Sequence, residues 1–276
     1  MIEHLLFIIS KLTALKEQCY LLIEIIIILI IVGLGAGTLG SMIGVGGGII
    51  MTPALAFIGL MPSHIASTSL IAVTSASVSS TIAYSKQKRI DYGVGLKMAS
   101  LSIPGAIIGA FLSSGISIGS FKVYFAILLM LTGTYIAYRN SILKEKPDTK
   151  SKSMSFHLLF YAGSFAAGVI SSLFGVGGGI VFVPMMIIIL GITMLRAGPT
   201  SQLTLLITSL AGVFTHAVLG HSDYIYAVSL SSGAFVGGQI GARLSRCIKE
   251  SILQKILSIS LIAVAVKLIF DFIYKQ

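Results

Sequence analysis

Apolar and polar positions along this chain fall into long apolar blocks separated by short polar breaks. Residues 25–85 contain no Asp, Glu, Lys or Arg, and residues 153–195 again contain none. About 20 apolar residues make one helical crossing of a bilayer. The strands of a membrane barrel alternate, whereas IEIIIILIIV at 23–32 does not. The pattern predicts apolar helical segments at 21–43, 48–60, 66–85, 92–112, 119–138, 155–174, 179–191, 197–218, 224–243 and 252–273. The second and seventh segments are short, ~20 Å of helix at ~1.5 Å per residue. Each of the two follows a cluster of glycines. Residues 1–20 read as an amphipathic interfacial segment, and 139–154 as a polar cytoplasmic linker.

The chain repeats itself. Gly44-Val45-Gly46-Gly47-Gly48 precedes Pro53, and Gly175-Val176-Gly177-Gly178-Gly179 precedes Pro184. The offset is 131, and it becomes 132 further on. Thr68-Ser69 then matches Thr200-Ser201, Asp91-Tyr92 matches Asp223-Tyr224, and Gly105 and Gly109 match Gly237 and Gly241. Ordered matches at a near-constant offset define two copies of a five-segment unit: 21–138 and 155–276.

Composition supports the membrane reading. Hydrophobic residues make up 55% of the chain and charged residues 10%, against roughly 25% charged in a soluble domain. The net charge of +10 sits in short Lys/Arg clusters between segments. That is where topology determinants belong, and it is no nucleic-acid signal. Cys19 and Cys247 stand far apart, without a metal-ligand spacing or a disulfide framework.

The charge pattern also orients the copies. Lys86, Lys88 and Arg89 follow the third segment, and their counterparts around 218–222 include no Lys or Arg. The loop at 113–119 is uncharged, while its counterpart carries Arg243, Arg246 and Lys249. Reversed bias in equivalent loops implies inverted halves under the positive-inside rule. Ten crossings place every basic cluster in the cytoplasm and both termini outside; eight, with the two short segments re-entrant, put one basic loop on the wrong side. The fold class expected is therefore an all-α polytopic membrane protein built of two inverted repeats. Inverted repeats broken at matching positions point to a secondary transporter.

Three consecutive glycines break a helix, at ~1 kcal/mol each relative to Ala. Each motif is expected to end one half-helix and start another. A half-helix N-terminus within the bilayer exposes free N–H groups and the positive end of a dipole, to which an anion can bind. Gly46, Gly47, Gly48, Gly177, Gly178 and Gly179 are the candidates. The competing reading is close helix packing through small residues. Thr68, Ser69, Thr200, Ser201 and Gln202 offer neutral donors, with helix capping and interhelical hydrogen bonding as the alternative. His216 stands where the first copy has Tyr84 and is a candidate for proton handling, against a plain interfacial role. Arg196 precedes Thr200-Ser201 and is a candidate gate. Lys97, Lys122 and Lys267 read as snorkelling topology residues, and Asp91 and Asp223 as interfacial loop residues.

GVGGGIIMTP at 44–53, GVGGGIVFVP at 175–184, the two Thr-Ser pairs and the paired GxxxG glycines resemble the TauE/SafE family of sulfite-exporter-like membrane proteins. The resemblance covers about 25–274. It implies an inner-membrane exporter of small sulfur-containing anions: sulfite, sulfoacetate or related organosulfonates. The sequence departs from the family pattern at Ser67, and at Gln202, where the first copy has Leu70. These departures bear on which anion is carried. An anion channel and an intramembrane enzyme are the competing functions. The enzyme lacks a positioned nucleophile and base. No ATP-binding motif, cofactor site or metal site is expected, and the partners expected are a small anion and the bilayer.

Overall fold

The computed structural model describes residues 2–142 and 154–274. These form ten α-helices in chain order: α1 (Ile2–Ile43), α2 (Gly48–Ile58), α3 (Pro62–Lys86), α4 (Tyr92–Ser113), α5 (Ile118–Ile142), α6 (Met154–Phe174), α7 (Gly179–Ile188), α8 (Met194–Val218), α9 (Tyr224–Leu244) and α10 (Glu250–Tyr274). The breaks fall where the apolar pattern breaks. Helix α1 extends back to Ile2 without interruption, so the N-terminal segment prolongs the first helix. Residues 143–153, most of the expected linker, lie outside the described residues. Among the described residues, four helical stretches are long and apolar enough to cross a bilayer: Leu22–Ile43, Pro62–Lys86, Tyr92–Ser113 and Met194–Val218.

Helix directions follow from the contacts. Gly33 lies against Leu230, Gly37 against Ala234 and Gly241 against Thr38, so α1 and α9 run parallel. Ser75 donates to Ser231 O and Ser79 to Phe235 O, so α3 runs parallel to both. In the other set, Gly105 meets Phe165 and Gly109 meets Val169 and Leu173, which makes α4 parallel to α6. Thr204 donates to Gly95 O, and Ser102 bonds Thr208, so α8 joins that set. Between the sets, Thr74 bonds Ser209 while Ser77 bonds Gln202, so α3 and α8 are antiparallel. Equivalent helices of the two copies thus run in opposite directions, and the halves are inverted. The first helix of each copy packs on the fourth of the other. Glycines on those seams let the backbones approach closely. A Cβ at Gly33 or Gly105 would stand 2.2 Å from a carbonyl oxygen of the facing helix.

Because α1 and α3 run the same way, α2 must return the chain between them, as α7 does between α6 and α8. Helix α2 has 11 residues, about 16 Å at ~1.5 Å per residue, roughly half the hydrocarbon thickness.

The interior combines an apolar core with many buried hydroxyls, and the exterior is apolar. Ser67, Ser69, Ser77, Ser80, Thr200, Ser201, Gln202 and Thr208 are fully buried. Ile31, Phe111, Leu131, Phe214, Val228 and Ile259 are more than half exposed. Such a shell suits lipid as solvent.

Candidate functional site

The two glycine motifs meet at the middle of the molecule, where α3 and α8 cross. Gly46 and Gly177 each face Val73 on α3 and Leu205 on α8. The turns also touch each other: Gly48 lies against Gly175 and Val176, and Gly179 against Gly44 and Val45. Gly44, Gly46 and Gly47 have φ of 88°, 81° and 85°, and Gly175, Gly177 and Gly178 have 73°, 85° and 74°. Only glycine occupies this left-handed region readily. Gly47 and Gly178 are the N-caps of α2 and α7. Among the described residues, the N–H groups of Gly47, Gly48, Gly178 and Gly179 have no backbone acceptor. Neither helix carries an acidic residue in its first turn. Two positive helix ends therefore face one buried region.

Serines clasp the turns across the two halves. Ser69 Oγ donates to Gly175 O at 2.7 Å, and Ser201 Oγ donates to Gly44 O at 2.7 Å. Each Ser of a Thr-Ser pair thus holds the other copy's motif. Thr52 adds bonds to Ser69 Oγ at 3.1 Å and Phe174 O at 3.0 Å. The Gln202 amide makes three bonds: its Nε2 donates to Gly40 O at 3.2 Å, and its Oε1 accepts from Ser77 and Ser80 at 3.1 Å each. Gly40 O also accepts from Gly44, Val45 and Gly46 N–H, tightening the first turn. Leu70, the counterpart of Gln202, has no such donor. Thr200 Oγ1 accepts from Asp91 N–H at 3.0 Å. Among the described residues, the buried hydroxyls without a partner are Ser41, Thr68, Thr81, Ser171, Ser172 and Ser231. The serines preceding the motifs were not singled out from sequence, although Ser41 and Ser172 stand at matched positions.

The termini of the crossing helices form two unlike mouths. On one face, Lys88, Arg89, Ile90, Asp91, Tyr92 and Arg196 line a cavity of about 230 Å³. Arg89 is held by Leu195 O at 3.0 and 2.8 Å, Gln87 at 3.1 Å and Ser245 at 3.0 Å. Burial lowers the Arg89 pKa from its ordinary value, but a guanidinium remains charged in proteins. Arg196 is exposed. The expected gate is thus brought next to Arg89, which the sequence reading had assigned to topology alone. Asp91 Oδ1 caps α4 through Val94 N–H at 3.1 Å.

On the opposite face lie His64, His216, His221 and Asp223. His216 is buried at the end of α8; its Nε2 lies 3.0 Å from Ser172 O and its Nδ1 3.1 Å from His221 Nδ1. His64 Nδ1 pairs with Asp223 at 2.8 Å. Among the described residues, no group of three or more His, Cys, Asp or Glu side chains is arranged to hold a metal ion. A larger groove of about 610 Å³, between α5, α6 and α7, is lined by residues such as Leu131, Ile180, Pro184 and Met185. Its apolar wall offers nothing to an anion.

Inverted five-helix halves, paired broken helices and a lipid-suited exterior define a polytopic membrane protein of the transporter class. The chain belongs to the sulfite exporter TauE/SafE family, whose family model matches residues 29–268. It is similar to the probable membrane transporter protein YunE of Bacillus subtilis, 32% identical over 90% of this chain and 98% of that protein. The probable membrane transporter protein YdhB of the same organism is 25% identical over 83% and 93% of the two chains. The corresponding protein YfcA of Escherichia coli is 21% identical over 88% and 89%. No solved structure matches the chain.

Proposed function

We propose that this protein is a secondary transporter that exports small sulfur-containing anions, such as sulfite, sulfoacetate or related organosulfonates, across a bacterial inner membrane. The observation that carries this reading is the meeting of two inverted glycine turns whose helix N-terminal N–H groups lack backbone acceptors. Buried N–H groups are costly when unpaired, and an anion held there would satisfy them. Gly46–Gly48 and Gly177–Gly179 supply the backbone, and the Thr68 and Thr200 hydroxyls stand in the second turn of the crossing helices. Ser69, Ser201 and Gln202 hold the turns in place. The positive-inside rule puts the Arg89/Arg196 mouth in the cytoplasm, where its charge gathers anions. The inverted halves then exchange access between that mouth and the opposite one. This reading has no catalytic step.

An anion channel is the second reading, supported by the same absence of intramembrane acid at the turns. Purified protein in liposomes, preloaded with unlabelled anion, separates the two. A transporter accumulates labelled anion by counterflow and saturates. A channel gives unsaturated flux that follows voltage. Failure of every sulfur oxyanion and sulfonate tested, with another small anion carried, would remove the substrate assignment.

A further inference from the structure

The two mouths are built on one plan with different chemistry. The turn after α3 and the turn after α8 share their backbone bonds: Arg89 N–H to Tyr84 O at 3.3 Å matches His221 N–H to His216 O at 3.1 Å. Lys88 N–H to Ser85 O matches Gly220 N–H to Ala217 O, and both Lys88 and Gly220 have positive φ, 54° and 73°. Buried beneath each turn, a side chain reaches the equivalent carbonyl on the first helix of its own half. Tyr84 OH donates to Ser41 O at 2.8 Å, and His216 Nε2 lies 3.0 Å from Ser172 O. Position by position at the offset of 132, Tyr84 corresponds to His216, Arg89 to His221, Arg196 to His64 and Asp91 to Asp223.

The basic mouth thus carries two permanent charges and a tyrosine where the opposite mouth carries three histidines. The structural task at the buried position, a bond to one carbonyl, is met by tyrosine in one half. Histidine adds a second ring nitrogen, and that nitrogen meets His221. A carbonyl only accepts, so His216 Nε2 carries a proton and the neutral ring's Nδ1 accepts from His221 Nδ1–H. His221 Nε2 faces Ser114 Oγ at 3.4 Å, which leaves it on the open side of the chain. The His64 and His221 ring centroids are 6.3 Å apart. Asp223, unlike Asp91, does not cap its helix; its carboxylate is turned to His64.

We propose that His216, His221 and His64, with Asp223, form a proton-binding site at this mouth, through which proton uptake is coupled to anion binding. The inference rests on the anion-transport reading above. A proton arrives at His221 Nε2. The His221 Nδ1 proton passes to His216 Nδ1, leaving His221 neutral and His216 cationic, with Nε2–H still on Ser172 O. That charge bonds the carbonyl of Ser172, three residues before the second glycine motif. Protonation gives this mouth the positive charge that Arg89 and Arg196 give the other one permanently. The remaining groups around the chain are Ser114 after α4, Ser172 on α6, and Ser67 on α3 bonded to Ser222 at 2.6 Å. Among the described residues, the one ion pair in the cluster is His64 with Asp223. Burial and the neighbouring His64 lower the His221 pKa, so an arriving anion is what favours the protonated form.

The test is titration calorimetry of purified protein with sulfoacetate, methanesulfonate and sulfate, in buffers of different ionisation enthalpy. Near pH 7 the wild type takes up a proton with a bound anion, and apparent affinity rises with falling pH by at most about tenfold per unit for one proton. His216→Tyr with His221→Arg installs the other mouth's residues and abolishes the uptake. His221→Arg alone is the second variant where the pair fails to fold. Binding without proton uptake in the wild type overturns this inference and leaves the transport reading standing. If none of the anions binds, the transport reading fails and the coupling with it. A readout free of ligand is thermal stability between about pH 7.5 and 5.5, either side of the ordinary histidine range. It falls in the wild type and stays level in His221→Arg; a level wild-type profile overturns the proton site.

Discussion

Replacing Ser201 with Ala separates a clasp from a ligand. The residue is fully buried, and its hydroxyl donates to Gly44 O at 2.7 Å across the interface between halves. Alanine keeps the Cβ, so little volume is lost. A neutral hydrogen bond contributes about 0.5–1.5 kcal/mol, and a buried acceptor left unmade costs about 1–3 kcal/mol. The expected destabilisation is therefore about 1–3 kcal/mol, at about 2–4 °C per kcal/mol for a chain of this size. Ser69→Ala should do at least as much, since Ser69 also accepts from Thr52. Because the clasped turns touch each other, the double variant should depart from additivity by about 0.5 kcal/mol or more. Thermal unfolding in detergent measures the shift, and anion titration of the same samples measures affinity. Unchanged stability in both single variants, with anion affinity falling tenfold, would refute the clasp and make the hydroxyls ligands.

Gly178→Ala places a Cβ 2.8 Å from Ala167 O at a φ of 74°. It should cost about 1–2 kcal/mol for the left-handed backbone alone and reduce flux, as unfolding and uptake assays would register. Arg196→Gln should raise the half-saturating anion concentration at the basic face about twofold to fivefold, the scale of an exposed charge, and high salt should erase the difference. The lowered His221 pKa makes the unfolded chain bind more protons than the native one. Its stabilising contribution is full above the ordinary histidine value and lost as pH falls below it. A melting series from neutral to mildly acidic pH, with His221→Gln as control, checks the sign. Single cysteines at 86–90 and 244–250, in a chain without Cys19 and Cys247, should resist an impermeant reagent applied outside intact cells, whereas one at 219–222 should react.

Much of the fold was legible because lipid imposes a simple code. Uncharged runs marked the helices, glycine clusters marked the breaks at 44–47 and 175–178, and the displaced Lys/Arg clusters showed that the halves are inverted. Pairing between halves was not legible. That α1 seats on α9 and α6 on α4 depends on glycine faces at Gly33, Gly37, Gly105 and Gly109, whose partners lie in the other copy. At the site, the glycines were found by their cost to a helix. The partners of Ser69, Ser201 and Gln202 are backbone carbonyls, which carry no sequence signal. Arg89 and His221 were passed over because loop charges and loop histidines are common. The offset of 132 pairs these two residues, and the matching turns after α3 and α8 show that they hold equivalent places.

The most direct test of the account is anion counterflow in proteoliposomes containing only this protein. The account predicts saturable accumulation of labelled sulfite or a sulfonate, stimulated by unlabelled anion inside and lost in Gly47→Leu and Gly178→Leu variants that still insert. Absence of saturable flux for every small anion, or equal flux in those variants, would contradict it.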